Sequence, residues 1–211
     1  RPAVFIAILF SGLSFSWGDE WVSTERREGF PLVAERAAAR IVYSESDFAV
    51  VGVAAEDLAD DIERVTGARP ALFREGGGSG PTIYVGTLGS SPTIDRLARA
   101  GRIDVAELEG AWESFVIATL DQPEPGVEKG LAVVGSDRRG TAFGVYELSQ
   151  AIGVSPWHWW ADVIPRKAEQ LWVAEGTRRF GPPSVEYRGI FINDEDWGLH
   201  PWAANTFDPE L

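Results

Sequence analysis

The stretch FINDEDWGLHPW, residues 191–202, sets Asn193, Asp194, Glu195 and Asp196 directly behind an apolar run and closes on tryptophan, histidine and proline. Grouped carboxylates can act as general acid or base, hold hydroxyls, or collect a hard cation. In an extended strand successive side chains alternate, so Tyr187, Gly189, Phe191, Asn193 and Glu195 share one side, and Arg188, Ile190, Ile192, Asp194 and Asp196 the other. Both sides therefore change from apolar to acidic at the C-terminal end. That layout is expected of the first strand of a (β/α)₈ barrel, whose middle is packed core and whose C-terminal mouth carries chemistry. A loop or helix-capping cluster is the plainer reading of the same pattern. A calcium loop does not fit: with Asn193 first, Gly198 falls correctly at the sixth position, but Trp197 takes the fifth and Ala204 the place of the bidentate glutamate.

Two other stretches could carry chemistry. In VGSDRRGTAFG a strand, a glycine turn and a helix start could present free amides with Arg138 or Arg139 to an anion. The spacing of Gly135, Gly140 and Gly144 departs from the dinucleotide fingerprint, so a structural role is favoured, with Asp137 and the arginines tying the turn to a neighbouring domain. In SPWHWWADVIP the rings of Trp157, His158, Trp159 and Trp160 could stack on a sugar face or pack a contact between domains. Neither His158 nor His200 has a second ligand at metal spacing, so no metal centre is expected.

Positioning these residues requires a scaffold. AAEDLADDIERVTG has Ala55, Leu58, Ala59, Ile62 and Val65 at helical spacing with Gly67 as the stop, leaving Glu56, Asp57, Asp60, Asp61 and Glu63 toward water. PTIYVGT, ESFVIATL and GLAVVG read as strands. SPTIDRLARAG reads as a helix capped by Ser91 with Pro92 first. A further helix should turn Ala142, Val145, Tyr146, Leu148 and Ile152 toward the core, and LVAERAAARIVYS should be a short strand with an extended continuation. EGGGSGP lacks the Lys-Ser/Thr of a phosphate loop and reads as a surface connection. Strands alternating with helices predict an α/β layer domain, a mixed sheet with helices. EGTRRFGPPSVEYRG reads as a linker, after which YRGIFIND begins a new strand.

The 211 residues are 45% hydrophobic and 24% charged, with 32 acidic against 19 basic side chains and a net charge of −13. That balance suits a globular chain and disfavours nucleic acid or an anionic membrane as partner. Cysteine is absent, so disulfides are too. RPAVFIAILFSGLSFSWG has the basic start, apolar run and small-residue tail of a secretory signal peptide, too short for a permanent anchor; an N-terminal strand or buried helix is the competing reading. The expected division is a signal peptide over 1–18, the α/β domain over 19–180, a linker over 181–186 and the start of a barrel domain over 187–211. With no methionine at position 1 or anywhere else, the chain is expected to be a fragment.

GSDRRGTAFGVYELSQAIGVSPWHWWADV, PSVEYRGIFINDEDWGLHPWA and TFDPE, in that order, resemble glycoside hydrolase family 115, the xylan α-1,2-glucuronidases, across about residues 25–211. The resemblance implies a secreted multidomain enzyme whose α/β accessory domain precedes a TIM barrel. It implies removal of glucuronic acid or its 4-O-methyl ether from glucuronoxylan or derived oligosaccharides, with inversion and without cofactor. A homodimer is open to the full-length form. On that resemblance Asp194 and Glu195 are the candidate catalytic carboxylates, with acid and base unassigned; Asn193, Trp197, Trp202 and Glu210 are candidate substrate-binding residues. The chain ends at Leu211, before the other seven strands of an eight-stranded barrel, so it is expected to be inactive alone. A stand-alone carbohydrate-binding or interaction domain, with Trp157, Trp159 and Trp160 as platform, is the alternative.

Overall fold

The computed structural model describes residues 21–75, 78–189 and 191. Strands β1 (Val22–Ser23) and β2 (Gly29–Ala34) open the fold. β2 turns back into β3 (Ala37–Ala38) through Glu35 and Arg36, at φ 51° and 64°. Two left-handed residues give a hairpin whose twist matches its strands. The extended continuation expected here is therefore wrong, because the turn lacks the usual Asn-Gly signal. Strand β4 (Arg40–Val42) follows.

Helix α1 (Ala49–Thr66) begins before the periodic stretch that signals it and buries Val51, Ala55, Leu58, Ile62 and Val65. Gly67 ends it at φ 78°, its N–H donating to the Glu63 carbonyl at 2.7 Å, a left-handed closure that favours glycine. Asp61 does not face water as the acidic run suggested; it is buried, one step from Ile62 on the edge of the apolar stripe.

β5 (Leu72–Phe73) and β6 (Thr82–Thr87) precede α2 (Pro92–Arg99), where Ser91 caps the helix by accepting from the Ile94 N–H at 3.5 Å. A short 3₁₀ turn (Ala106–Leu108) leads to β7 (Phe115–Glu124), β8 (Val127–Gly135), α3 (Arg138–Ala151) and the single turn α4 (His158–Ala161). β9 (Leu171–Ala174) and β10 (Thr177–Phe180) complete the described elements. Residues Thr177–Phe180 thus form a strand and not part of a linker: they pair antiparallel with β7, Phe180 opposite Phe115.

The main sheet runs β10-β7-β8-β6-β4-β5, with β8, β6, β4 and β5 parallel and the first two strands antiparallel. An antiparallel sheet, β1-β9-β2-β3, is the second layer. This is the mixed α/β architecture expected. Alternation sorts each strand between two cores. Ile83, Val85, Ile117, Leu131 and Val133 pack with α1, α3 and the small sheet. Tyr84, Val116, Ala118, Ala132 and Val134 pack with Ile94 and Leu97 of α2. Tyr146 of α3 departs from its expected core place; it is 44% exposed and its hydroxyl donates to Asp57 at 2.6 Å, joining α3 to α1.

Close approach of α3 to the sheet needs glycine. A Cβ at Gly140 would lie 2.4 Å from the Ser114 carbonyl oxygen. Alanine gains about 1 kcal/mol of helix propensity there but must push the loop aside at about 1–3 kcal/mol. G140A is therefore expected to lower the urea unfolding free energy by about 1–2 kcal/mol, whereas V53A on the exposed side of α1 stays within about 0.5 kcal/mol.

Candidate functional site

The sequence-predicted site residues Asn193, Asp194, Glu195, Trp197, Trp202 and Glu210 lie outside the described residues. What the structure describes is the ground next to them: the segment 181–189, which leads from the sheet toward that acidic stretch, and the residues that hold it.

The anchoring starts at the junction of β8 and α3. Asp137 caps α3, its Oδ1 accepting from the N–H groups of Arg139 (2.9 Å) and Gly140 (2.8 Å), which stabilises donors that the helix itself leaves unpaired. Its Oδ2 accepts from the Glu113 N–H at 2.7 Å, while Ser136 and Ser114 bond reciprocally, Ser136 N–H to the Ser114 carbonyl and Ser114 N–H to the Ser136 hydroxyl. The loop before β7 is therefore fixed to the start of α3. Glu113, at φ 47° and 6% exposed, turns its carboxylate to two guanidiniums: Arg139 at 3.0 Å and Arg188 of the 181–189 segment. Both guanidiniums lie over the Phe143 ring, at 5.7 and 5.8 Å. Phe180 stacks on Phe115 with centroids 4.6 Å apart where the segment departs.

Beside it lies a cleft of about 760 Å³ between α1, α3 and the segment. Phe115, Phe143 and Phe180 contribute its apolar lining, and Asp61, Tyr146 and Glu147 its titratable edge. Burial pushes the Asp61 carboxyl above its usual range, partly offset by Ser149 and then Arg64, which pairs with it. The Ser149 hydroxyl lies near enough to favour the charged carboxylate, yet meets no partner at full hydrogen-bond geometry. Burial also raises Glu147, and burial with the Asp57 hydrogen bond raises Tyr146. Among the described residues, no group of His, Cys, Asp or Glu is arranged to hold a metal ion, and no helix is long and apolar enough to cross a membrane.

The profile described as glycosyl hydrolase family 115 matches residues 180–211, the segment together with the acidic stretch. Among solved structures, a family 115 4-O-methyl-α-glucuronidase with specificity for decorated arabinogalactans is 40% identical, with a TM-score of 0.70 over 85% of this chain and 22% of its own. The chain belongs to glycoside hydrolase family 115. It spans about a fifth of the length of that relative. A GH20 β-N-acetylhexosaminidase from Streptomyces coelicolor A3(2) is 18% identical with a TM-score of 0.42, over 73% of this chain and 24% of its own. No curated protein matches.

In this family 115 chain, the structural reading of SDRRG is supported, with the tie running to the domain's own loop and to residue 188. The aromatic run is only partly described: Trp157 is 64% exposed, His158 Nδ1 lies 3.0 Å from the Val163 carbonyl oxygen, and the side chains of Trp159 and Trp160 lie outside the described residues. Sequence reasoning missed Glu113, which sits in GAWESF without a motif. The positive φ and the pairing across 75 residues to Arg188 appear only in three dimensions.

Asp61 gives a pH prediction. Its folded-state pKa lies above 3.8 because burial disfavours the charge. The folded state therefore binds the proton more tightly than the unfolded chain, and stability falls as pH rises from 3.8 through the raised value. D61N removes the charge that burial opposes. It is expected to raise the urea midpoint at pH 7, with the gain shrinking toward pH 3.5; an equal midpoint at pH 7 would reject this account.

Proposed function

We infer that the chain is the N-terminal part of a secreted glycoside hydrolase that removes glucuronic acid or its 4-O-methyl ether from a decorated plant polysaccharide. The observation carrying this reading is the 40% identity to a 4-O-methyl-α-glucuronidase over 85% of the chain. The family match across 180–211 gives it local support, because the acidic stretch falls inside. In this reading residues 19–180 are the accessory α/β domain, 181–186 the link, and 187–211 the opening of a TIM-barrel domain.

The chemistry constrains the carboxylates. Inverting hydrolysis places a general acid and a general base about 6.5–9.5 Å apart, on either side of the scissile bond. Asp194 and Glu195 are neighbours, and neighbours on a strand point to opposite faces. One of them therefore serves the sugar together with a carboxylate from elsewhere in the complete protein, while the other supports it or binds hydroxyls. Asn193, Trp197, Trp202 and Glu210 complete this part of the pocket. Glucuronoxylan is the substrate favoured by the motif resemblance; the solved relative's arabinogalactan specificity makes decorated arabinogalactan the polymer to compare.

A carbohydrate-binding role is the second reading, favoured by the exposed Trp157 ring. Retarded migration of the 211-residue chain in a xylan-containing gel, lost in W157A, would support it.

The complete gene product is expected to release 4-O-methylglucuronic acid from one or both polymers, and the 211-residue chain to release none. In the complete protein, D194N or E195Q should lower kcat by about a hundredfold or more, the scale of a lost acid or base. Wild-type rates in both variants would sink this placement of the site.

A further inference from the structure

We propose that Glu113 and Arg188 form a positioning clamp that sets where the acidic stretch 193–196 meets the substrate, a role that rests on the hydrolase reading above. Glu113 is unusual in its backbone, its burial and its partners. Its φ of 47° places a side-chain-bearing residue in the left-handed region, which such residues seldom occupy unless their surroundings hold them there. The loop hydrogen bonds from Asp137 and Ser136 supply that hold. Its side chain is 7% exposed, and each carboxylate oxygen meets a different guanidinium, Arg139 on Oε1 and Arg188 on Oε2.

Arg139 alone would neutralise Glu113, and it comes from the helix start already joined to the loop. Arg188 adds no further tie within the α/β layers; it fixes the departing segment. Its guanidinium also donates to the Val185 carbonyl at 2.6 Å, which folds residues 185–188 around the clamp. The same group lies against the Phe143 face. At its other end the segment is held by Phe180 on Phe115 and by Gly181 against Ser114. Both ends of 180–188 are therefore referenced to the loop that carries Glu113.

Asn193 lies five positions after Arg188, a span of at most about 17 Å when fully extended. Arg188 is thus the described side-chain anchor nearest in sequence to the acidic stretch. Misplacement of about 1 Å at a reacting centre can cost about a hundredfold in rate. R188A leaves the buried Glu113 paired with Arg139, and Arg188 itself is a third exposed, so loss of this one guanidinium costs little global stability. Position, more than stability, is what the clamp supplies.

The test uses the complete gene product with R188A, E113Q and R188K. R188A and E113Q are expected to lower kcat for glucuronic acid release by about tenfold or more, with KM within about twofold. The unfolding midpoint should stay unchanged in R188A and fall in E113Q, where two guanidiniums lose their shared buried carboxylate. R188K, which keeps a charge over the ring, should recover most of the loss. Amide hydrogen exchange across 184–189 should accelerate in R188A and E113Q. If the unsubstituted protein releases no glucuronic acid from either polymer, the hydrolase reading fails and takes the proposal with it. If it is active but R188A keeps kcat within twofold, or exchange is unchanged, the proposal is overturned and the reading stands. A parallel fall in kcat and unfolding midpoint that R188K does not restore would mark Arg188 as merely structural, and would also overturn it.

Discussion

Both carboxylate oxygens of Asp137 are committed, one to the first amides of α3 and the other to the amide of Glu113. Through the first, the helix begins directly after β8, close enough that Gly135 and Gly140 have no room for a Cβ. Through the second, the loop before β7 is locked to the same point, which fixes Phe115 opposite Gly135 at the start of that strand pair. Asparagine would keep one acceptor and turn its amide toward a donor, leaving one of these joints without a partner. A neutral side chain would also lose the charge that favours the helix N-terminus.

Once β8 and α3 are fixed, the two cores follow from alternation. β6 and the second half of β8, residues 131–134, are buried on both faces, and residues 83–85 and 131–134 are accordingly continuous apolar runs. α1 and α3 close one face and α2 the other. The antiparallel β7 and β10 extend the sheet on one side without requiring a crossover helix. That edge brings Phe180 onto Phe115 and so decides where the chain leaves the sheet.

Much of the scaffold was legible because its signals are local. The stripe of α1, the Gly67 stop, the Ser91 cap and the runs of β6, β7 and β8 each follow from periodicity or a single side-chain bond. The failures share a cause. The Glu35-Arg36 hairpin is imposed by pairing of β2 with β3, and β10 by pairing with β7, against sequences that suggest neither. Asp61 and Tyr146 were misplaced because they lie where α1 meets α3, and one helix alone cannot reveal its neighbour. At the site, motif chemistry pointed to residues 193–196, whereas Glu113 was invisible: a lone glutamate between Trp112 and Ser114 gains meaning only from two arginines distant in sequence.

The end of β10 shows how the domain hands on its chain. Gly181 adopts φ 89° with a hypothetical Cβ 2.9 Å from the Ser114 Cα, so the backbone passes tightly over that loop where a larger residue would collide. Pro182 and Pro183 then remove two successive N–H donors, and the strand cannot extend its pairing with β7. Forced off the sheet edge, the chain runs past Phe143 to Arg188, whose pairing with Glu113 returns it to the same loop. Three residues that forbid sheet and one ion pair that recaptures the chain thus define its path. A flexible Gly/Ser linker in their place would leave the following segment free to sample many orientations, whereas this sequence delivers it from one fixed point.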